Sequence, residues 1–270
     1  MSSEQIRDFY ERFPYPSKKI KSTKALYNNV SWLTALVDKK PSGFKKNERI
    51  LDAGCGTAEF TCGFALGKAE VLGIDISERS LAKAKALAKR FGLKNVSFKR
   101  MDIFNNNLPE EYFDYIFAIG VLHHTENPKQ AFSKLVRLLK PGGFIVVGLY
   151  NRYSRMPVML KRFLLFLLAG NNLEKRISLA NKLFYNSKPL TEERKIWLAD
   201  KYANPLEKAI SFNEVLQWFR ENNIEFYKSK PHVNSLSSIG IFAAQFAWML
   251  QGISFFSISG RKVGKLASIT

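Results

Sequence analysis

Short apolar runs alternate along this chain with amphipathic ones. Arg49 to Ala53, Glu70 to Ser77, Asn95 to Met101, Phe113 to Gly120 and Phe144 to Leu149 read as strands, the first four each closed by a turn-forming residue. Between them, helical periodicity covers Ala58 to Leu66, Ser77 to Phe91 and a run ending at Leu139. Ser77 is placed to cap the second of these, and Leu81 opens its apolar stripe. Strands that alternate with helices predict a parallel sheet covered by helices. A capped helix, Ser211 to Phe219, and a strand, Ile224 to Lys228, follow after a gap of about sixty residues.

The first strand runs into a distinctive loop, Asp52-Ala53-Gly54-Cys55-Gly56-Thr57. A strand-to-helix loop that must bend sharply and approach a ligand favours glycine, because a Cβ would obstruct it. Dinucleotide loops carry a third glycine where Glu59 stands, and a carboxylate there would repel a diphosphate. Asp52 at the strand end suits a ligand with an ammonium group. Asp75 ends the second strand at the offset expected of a ribose-binding carboxylate, and Asp102 ends the third.

The D-x-G-x-G loop, Asp75, Asp102 and the Pro141-Gly142-Gly143 turn together resemble class I S-adenosylmethionine-dependent methyltransferases. The resemblance covers roughly residues 48 to 150 and 211 to 264. It implies an α/β, Rossmann-like sheet, mostly parallel, with the last strand, Phe255 to Lys262, antiparallel. It also implies a cofactor site made of Asp52, Gly54, Cys55, Gly56, Asp75, Ile76, Asp102, Ile103 and Ile119, with S-adenosylhomocysteine as product. The expected organisation is an N-terminal aromatic lid and helical segment (1–48), a cofactor-binding core (49–150 and 211–270) and a helical cap insertion (151–210).

Methyl transfer from a sulfonium needs in-line positioning and, for some acceptors, a base. His123 and His124 follow the fourth strand, and with Tyr10 and Tyr15 they are the expected catalytic residues. Tyr150, Asn151 and Tyr153 follow the fifth strand and are expected to line the acceptor pocket. The aromatic stretch Phe9 to Pro16 is too broken by proline to continue a helix, and either folds over the cofactor as a lid or anchors the N-terminus on the sheet.

No N/D-P-P-Y turn follows the fourth strand, which argues against amino-methylating nucleic-acid or glutamine enzymes. Neither cysteine, Cys55 or Cys62, stands where base C5 methylation needs a nucleophile. A small-molecule acceptor is favoured. The net charge of +19, from 42 basic and 23 acidic residues, keeps RNA and an anionic membrane or phospholipid open. It is also compatible with a plain solvated surface, since the basic residues are spread from Lys18 to Lys265. A non-catalytic cofactor-binding subunit is the other alternative; an NAD-dependent oxidoreductase is disfavoured by Glu59.

Two cysteines and three histidines without metal-ligand spacing predict neither a disulfide framework nor a metal site. The start of the chain lacks a secretory pattern, and a cytoplasmic location is expected. The apolar run Pro157 to Leu168 reads as a core helix of the cap, with its basic pair open to a lipid surface as the alternative. Ser238 to Leu250 reads as a buried or interface helix.

Overall fold

The computed structural model describes residues 3–264, so Lys265 and the rest of the C-terminal end of the expected core lie outside it. Helices α1 (Ser3–Arg12) and α2 (Thr23–Thr34) precede strand β1 (Arg49–Ala53). Then come α3 (Glu59–Phe64), β2 (Glu70–Asp75), α4 (Glu78–Arg90), β3 (Val96–Arg100), β4 (Phe113–Ile119), α5 (Pro128–Leu138) and β5 (Leu139–Tyr150). Helices α6 (Met156–Ala169), α7 (Leu173–Phe184) and α8 (Glu192–Ala203) form the segment that interrupts the pattern. The chain then continues through α9 (Phe212–Glu221), β6 (Ile224–Lys230), α10 (Ser238–Leu250) and β7 (Phe255–Lys262).

The seven strands lie in the order β3-β2-β1-β4-β5-β7-β6, with β7 antiparallel to both of its neighbours. Continuous apolar strands result because helices cover both faces. Neighbouring residues point to opposite sides: Leu51, Ile116 and Ile145 enter one core layer with Phe132 and Phe219. Ile50, Phe117 and Val146 enter the other with Phe44 and Phe64. Side-chain caps fix where helices begin. Ser77 accepts from the Ser80 amide, Asn127 from Gln130, and Ser211 forms a reciprocal capping box with Glu214; such caps stabilise a helix by about 1 kcal/mol each.

Connections leave β1 toward β2 on one side and β4 enters on the other, which opens a crevice at the carboxyl ends of these strands. The candidate site lies there.

Three sequence readings change, and a fourth, that of α10, is made specific. The Pro141-Gly142-Gly143 turn lies inside β5 as an irregularity opposite Asp114, because Leu139 already pairs with Phe113 before the register shifts. Phe9 to Arg12 are helical, since α1 runs on until just short of Pro14. Helix α6 is not a core helix: of its large apolar residues only Leu165 is buried. Helix α10 buries Ile241, Gln245 and Trp248 and exposes a second apolar stripe.

Candidate active site

The floor of the cleft is the loop after β1. Gly56 has φ +53°, in the left-handed region, and its amide donates to Oδ2 of Asp75 at 2.9 Å. Asp75 also accepts the Ser77 amide at 2.9 Å, so the second strand end is locked to the glycine loop and to the start of α4. Burial raises the Asp75 carboxyl above its ordinary value despite these bonds. Asp52 is buried and accepts from the Thr61 hydroxyl at 2.5 Å. Burial pushes its carboxyl up to about 7, with the Asp75 and Glu59 charges adding to the effect. Asp102 stands at the end of β3, where it accepts the Phe104 amide at 2.8 Å.

The N-terminal segment crosses directly over this loop. The Tyr15 carbonyl accepts the Thr57 amide at 3.2 Å, and a Cβ on Gly56 would lie 2.3 Å from that carbonyl oxygen. Ser17 donates its amide to the Thr57 hydroxyl at 2.9 Å, and Lys18 its amide to Glu59 at 2.7 Å. The buried side chain of Glu59, also bonded to the Thr57 hydroxyl, thus tethers the covering segment. Earlier in the chain, Glu11 accepts the Glu78 amide at 2.6 Å at the first turn of α4, a favourable place for a carboxylate.

The far wall comes from the turn after β4, which residues of the 151–210 segment back through hydrogen bonds. His124 Nδ1 lies 2.7 Å from the Leu206 carbonyl oxygen. A carbonyl only accepts, so Nδ1 carries a proton, and Nε2 lies 3.9 Å from Asp200 Oδ1. Tyr10 donates to the same Asp200 oxygen at 3.1 Å and receives a hydrogen bond from Asn204 at 3.0 Å. Burial, followed by the Asp200 charge, raises the phenols of Tyr10 and Tyr15. Behind this row, Arg155 forms a two-pronged pair with Glu207 at 2.7 and 2.8 Å and lies over the Tyr150 ring at 3.6 Å. Burial alone would raise Glu207, yet the bond from Arg155 and the nearby Arg162 hold it below the usual carboxylate range.

One cleft is lined by all nine expected cofactor residues, Asp52, Gly54, Cys55, Gly56, Asp75, Ile76, Asp102, Ile103 and Ile119, together with Tyr10, Tyr15 and His124. The other expected site residues do not line it. His123 is buried, its ring tilted at 46° against that of Tyr150 with centroids 4.3 Å apart, and neither ring nitrogen has a hydrogen-bond partner. Burial depresses its basicity well below that of ordinary histidine, which leaves it a neutral packing ring rather than a base. Tyr150 packs against His123 and Arg155. Asn151 departs most from expectation. It is fully buried, its amide donates to Gln245 at 2.9 Å, and its carbonyl caps Tyr153 and Ser154. Tyr153 lies in that capped turn, outside the cleft lining.

Asp200, Asn204, Arg155 and Glu207 were not singled out by sequence reasoning. Polar residues of a helical insertion look alike in sequence, and only the unusual company of Asp200 with apolar Leu198-Ala199 and Tyr202-Ala203 marked it as inward-facing.

Residues 44–222 match the methyltransferase-domain family. The chain belongs to that family, and its fold is the S-adenosylmethionine-dependent class I methyltransferase fold. It is 25% identical over 253 residues to an uncharacterized protein of Synechococcus sp., covering 83% of this chain and 59% of the relative. It is also 35% identical over 107 residues to a ubiquinone biosynthesis O-methyltransferase of Dechloromonas aromatica, covering 39% of this chain and 45% of that one. The chain therefore spans about half the length of these curated relatives. Among solved structures, PKMT2 from Rickettsia typhi shares the fold with a TM-score of 0.63 at 17% identity, over 87% of this chain and 52% of that chain.

Proposed function

We propose that the chain transfers a methyl group from S-adenosylmethionine to a hydroxyl of a small molecule bound between the cofactor and His124. The observation that carries this reading is the convergence of the nine cofactor residues with Tyr10, Tyr15 and His124 on one cleft. The donor set fits the cofactor. Asp52 suits the ammonium, Asp75 the two ribose hydroxyls, and Asp102 the adenine amino group. The similarity to a relative named as an O-methyltransferase supports an oxygen acceptor.

When bound, S-adenosylmethionine supplies a methyl on a sulfonium, whose sulfur keeps the bonding pair as the carbon leaves. The chain's own residues position and deprotonate. Nε2 of His124 takes the acceptor's hydroxyl proton as the new carbon–oxygen bond forms. Asp200 at 3.9 Å stabilises the resulting imidazolium, and the Leu206 carbonyl fixes the ring through Nδ1. Tyr10 holds Asp200 in place. Tyr15 and Pro16 close the cleft over the glycine loop and keep water from the reacting centre.

Methyl-label transfer to a fractionated extract tests the reading, with small molecules, RNA and lipid scored separately. Label in the small-molecule fraction is expected, and it should fall about a hundredfold or more with His124→Gln while cofactor affinity holds. Label confined to RNA, or no turnover with any fraction, would overturn it.

A further inference from the structure

Helix α6 is mounted with its apolar stripe outward. Met156, Leu160, Phe163, Leu164, Leu167 and Leu168 recur at helical spacing and are exposed, Leu160 at 70% and Leu167 at 64%. Its inward face instead carries Arg155 and Arg162, both bonded to Glu207, and Leu165. Charged groups inside and leucines outside reverse the usual arrangement of a surface helix. Helix α10 does the same on a smaller scale, with Ile239 at 82% and Leu250 at 72% exposed. The two helices hang from one buried amide pair, since Asn151, just before α6, donates to Gln245 of α10.

Charge identifies what the stripe fits. Between Met156 and Leu190 there are six basic residues and a single acidic one, Glu174. Glu174 is itself held by Arg12 and Lys195. Lys175, Lys182 and Lys188 are exposed and enter no salt bridge among the described residues. A second copy docked symmetrically would set this positive region against itself. An anionic bilayer offers both an apolar layer for the leucines and phosphate charge for the lysines. Among the described residues no helix is long and apolar enough to cross a membrane, so α6 would lie in the interface rather than span it.

We propose that α6, assisted by α10, seats this protein on an anionic lipid surface. Nothing in the docking depends on the chemistry in the cleft. Through Arg162, which bonds the Asn204 carbonyl and Glu207, the docked helix is tied to the stretch that bonds Tyr10 and His124 from behind.

Flotation of the full chain tests this with vesicles of phosphatidylcholine alone and of phosphatidylcholine with about 30% phosphatidylglycerol. Binding to the anionic vesicles is expected, weakening as salt is raised. The triple variant L160Q/F163Q/L167Q should bind about tenfold or more weakly with an unchanged circular dichroism spectrum, and K175E/K182E should lose the preference for anionic lipid. The proposal is overturned if the wild-type chain floats with neither vesicle. It is equally overturned if the chain is a solution dimer that the triple variant makes monomeric while neither form binds lipid.

Discussion

Replacing Gly56 with alanine asks whether the N-terminal segment really rests on the glycine loop. The φ of +53° is costly for alanine, about 1–2 kcal/mol. The new Cβ would also stand 2.3 Å from the Tyr15 carbonyl oxygen, a backbone atom that cannot swing aside as a side chain can. Residues 15–17 would have to lift, stretching the Thr57-to-Tyr15 bond of 3.2 Å and the Ser17-to-Thr57 bond of 2.9 Å. Each such bond contributes roughly 0.5–1.5 kcal/mol. The total comes to about 2–5 kcal/mol. Gly92→Ala is the control, because its φ is +64° and a Cβ there meets nothing within 4 Å; it should lose only the backbone part, about 1–2 kcal/mol. Urea unfolding of the two variants measures the difference, and calorimetry with S-adenosylhomocysteine should show weakening of about tenfold for Gly56→Ala alone. Equal destabilisation by both variants, with product affinity unchanged in Gly56→Ala, would refute the contact and the covering role built on it.

Other outcomes follow from the same geometry. Asp52 titrates near 7 in the free protein, above an unfolded carboxylate, so its ionisation destabilises the fold progressively as pH rises through that window. An ammonium ligand favours the ionised form. Cofactor affinity should therefore fall about tenfold per pH unit below 7, level off above it, and lose this dependence in Asp52→Asn, as read by calorimetry across pH. Removing one partner of the buried Arg155–Glu207 pair, by Glu207→Ala, should cost about 3–5 kcal/mol in urea unfolding; a loss below about 1 kcal/mol would mean the charges are solvated. His123→Phe removes two unpartnered ring nitrogens from a packed aromatic site and should change stability by less than about 1.5 kcal/mol with turnover retained. His124→Phe should instead abolish turnover, and equal activities in the two variants would contradict the assignment of the base.

Strand ends were the most legible part of the chain. Asp52, Asp75 and Asp102 each close a strand-like run, and a parallel sheet necessarily gathers such ends on one side. Local caps such as Ser77 and Ser211 were equally plain, because their signal lies within four residues. What depends on distant contacts was not. His123 and His124 are adjacent in sequence, yet a 3-10 turn sends one ring into the core and the other toward the cleft. Asn151 looked like a pocket residue because it follows β5, but its partner Gln245 comes from a helix far along the chain. The leucines of α6 suggested a core by composition. Which way a helix faces is set by what holds its other side, here Glu207 gripping Arg155 and Arg162.

Calorimetric titration of S-adenosylhomocysteine into the wild-type chain and Asp75→Ala tests the central claim most directly. Asp75 is the carboxylate that the Gly56 and Ser77 amides aim into the cleft. Binding at one site is predicted for the wild type, with affinity about tenfold or more weaker in a folded Asp75→Ala protein. Equal affinity of the two proteins, or no binding by either, would contradict the account.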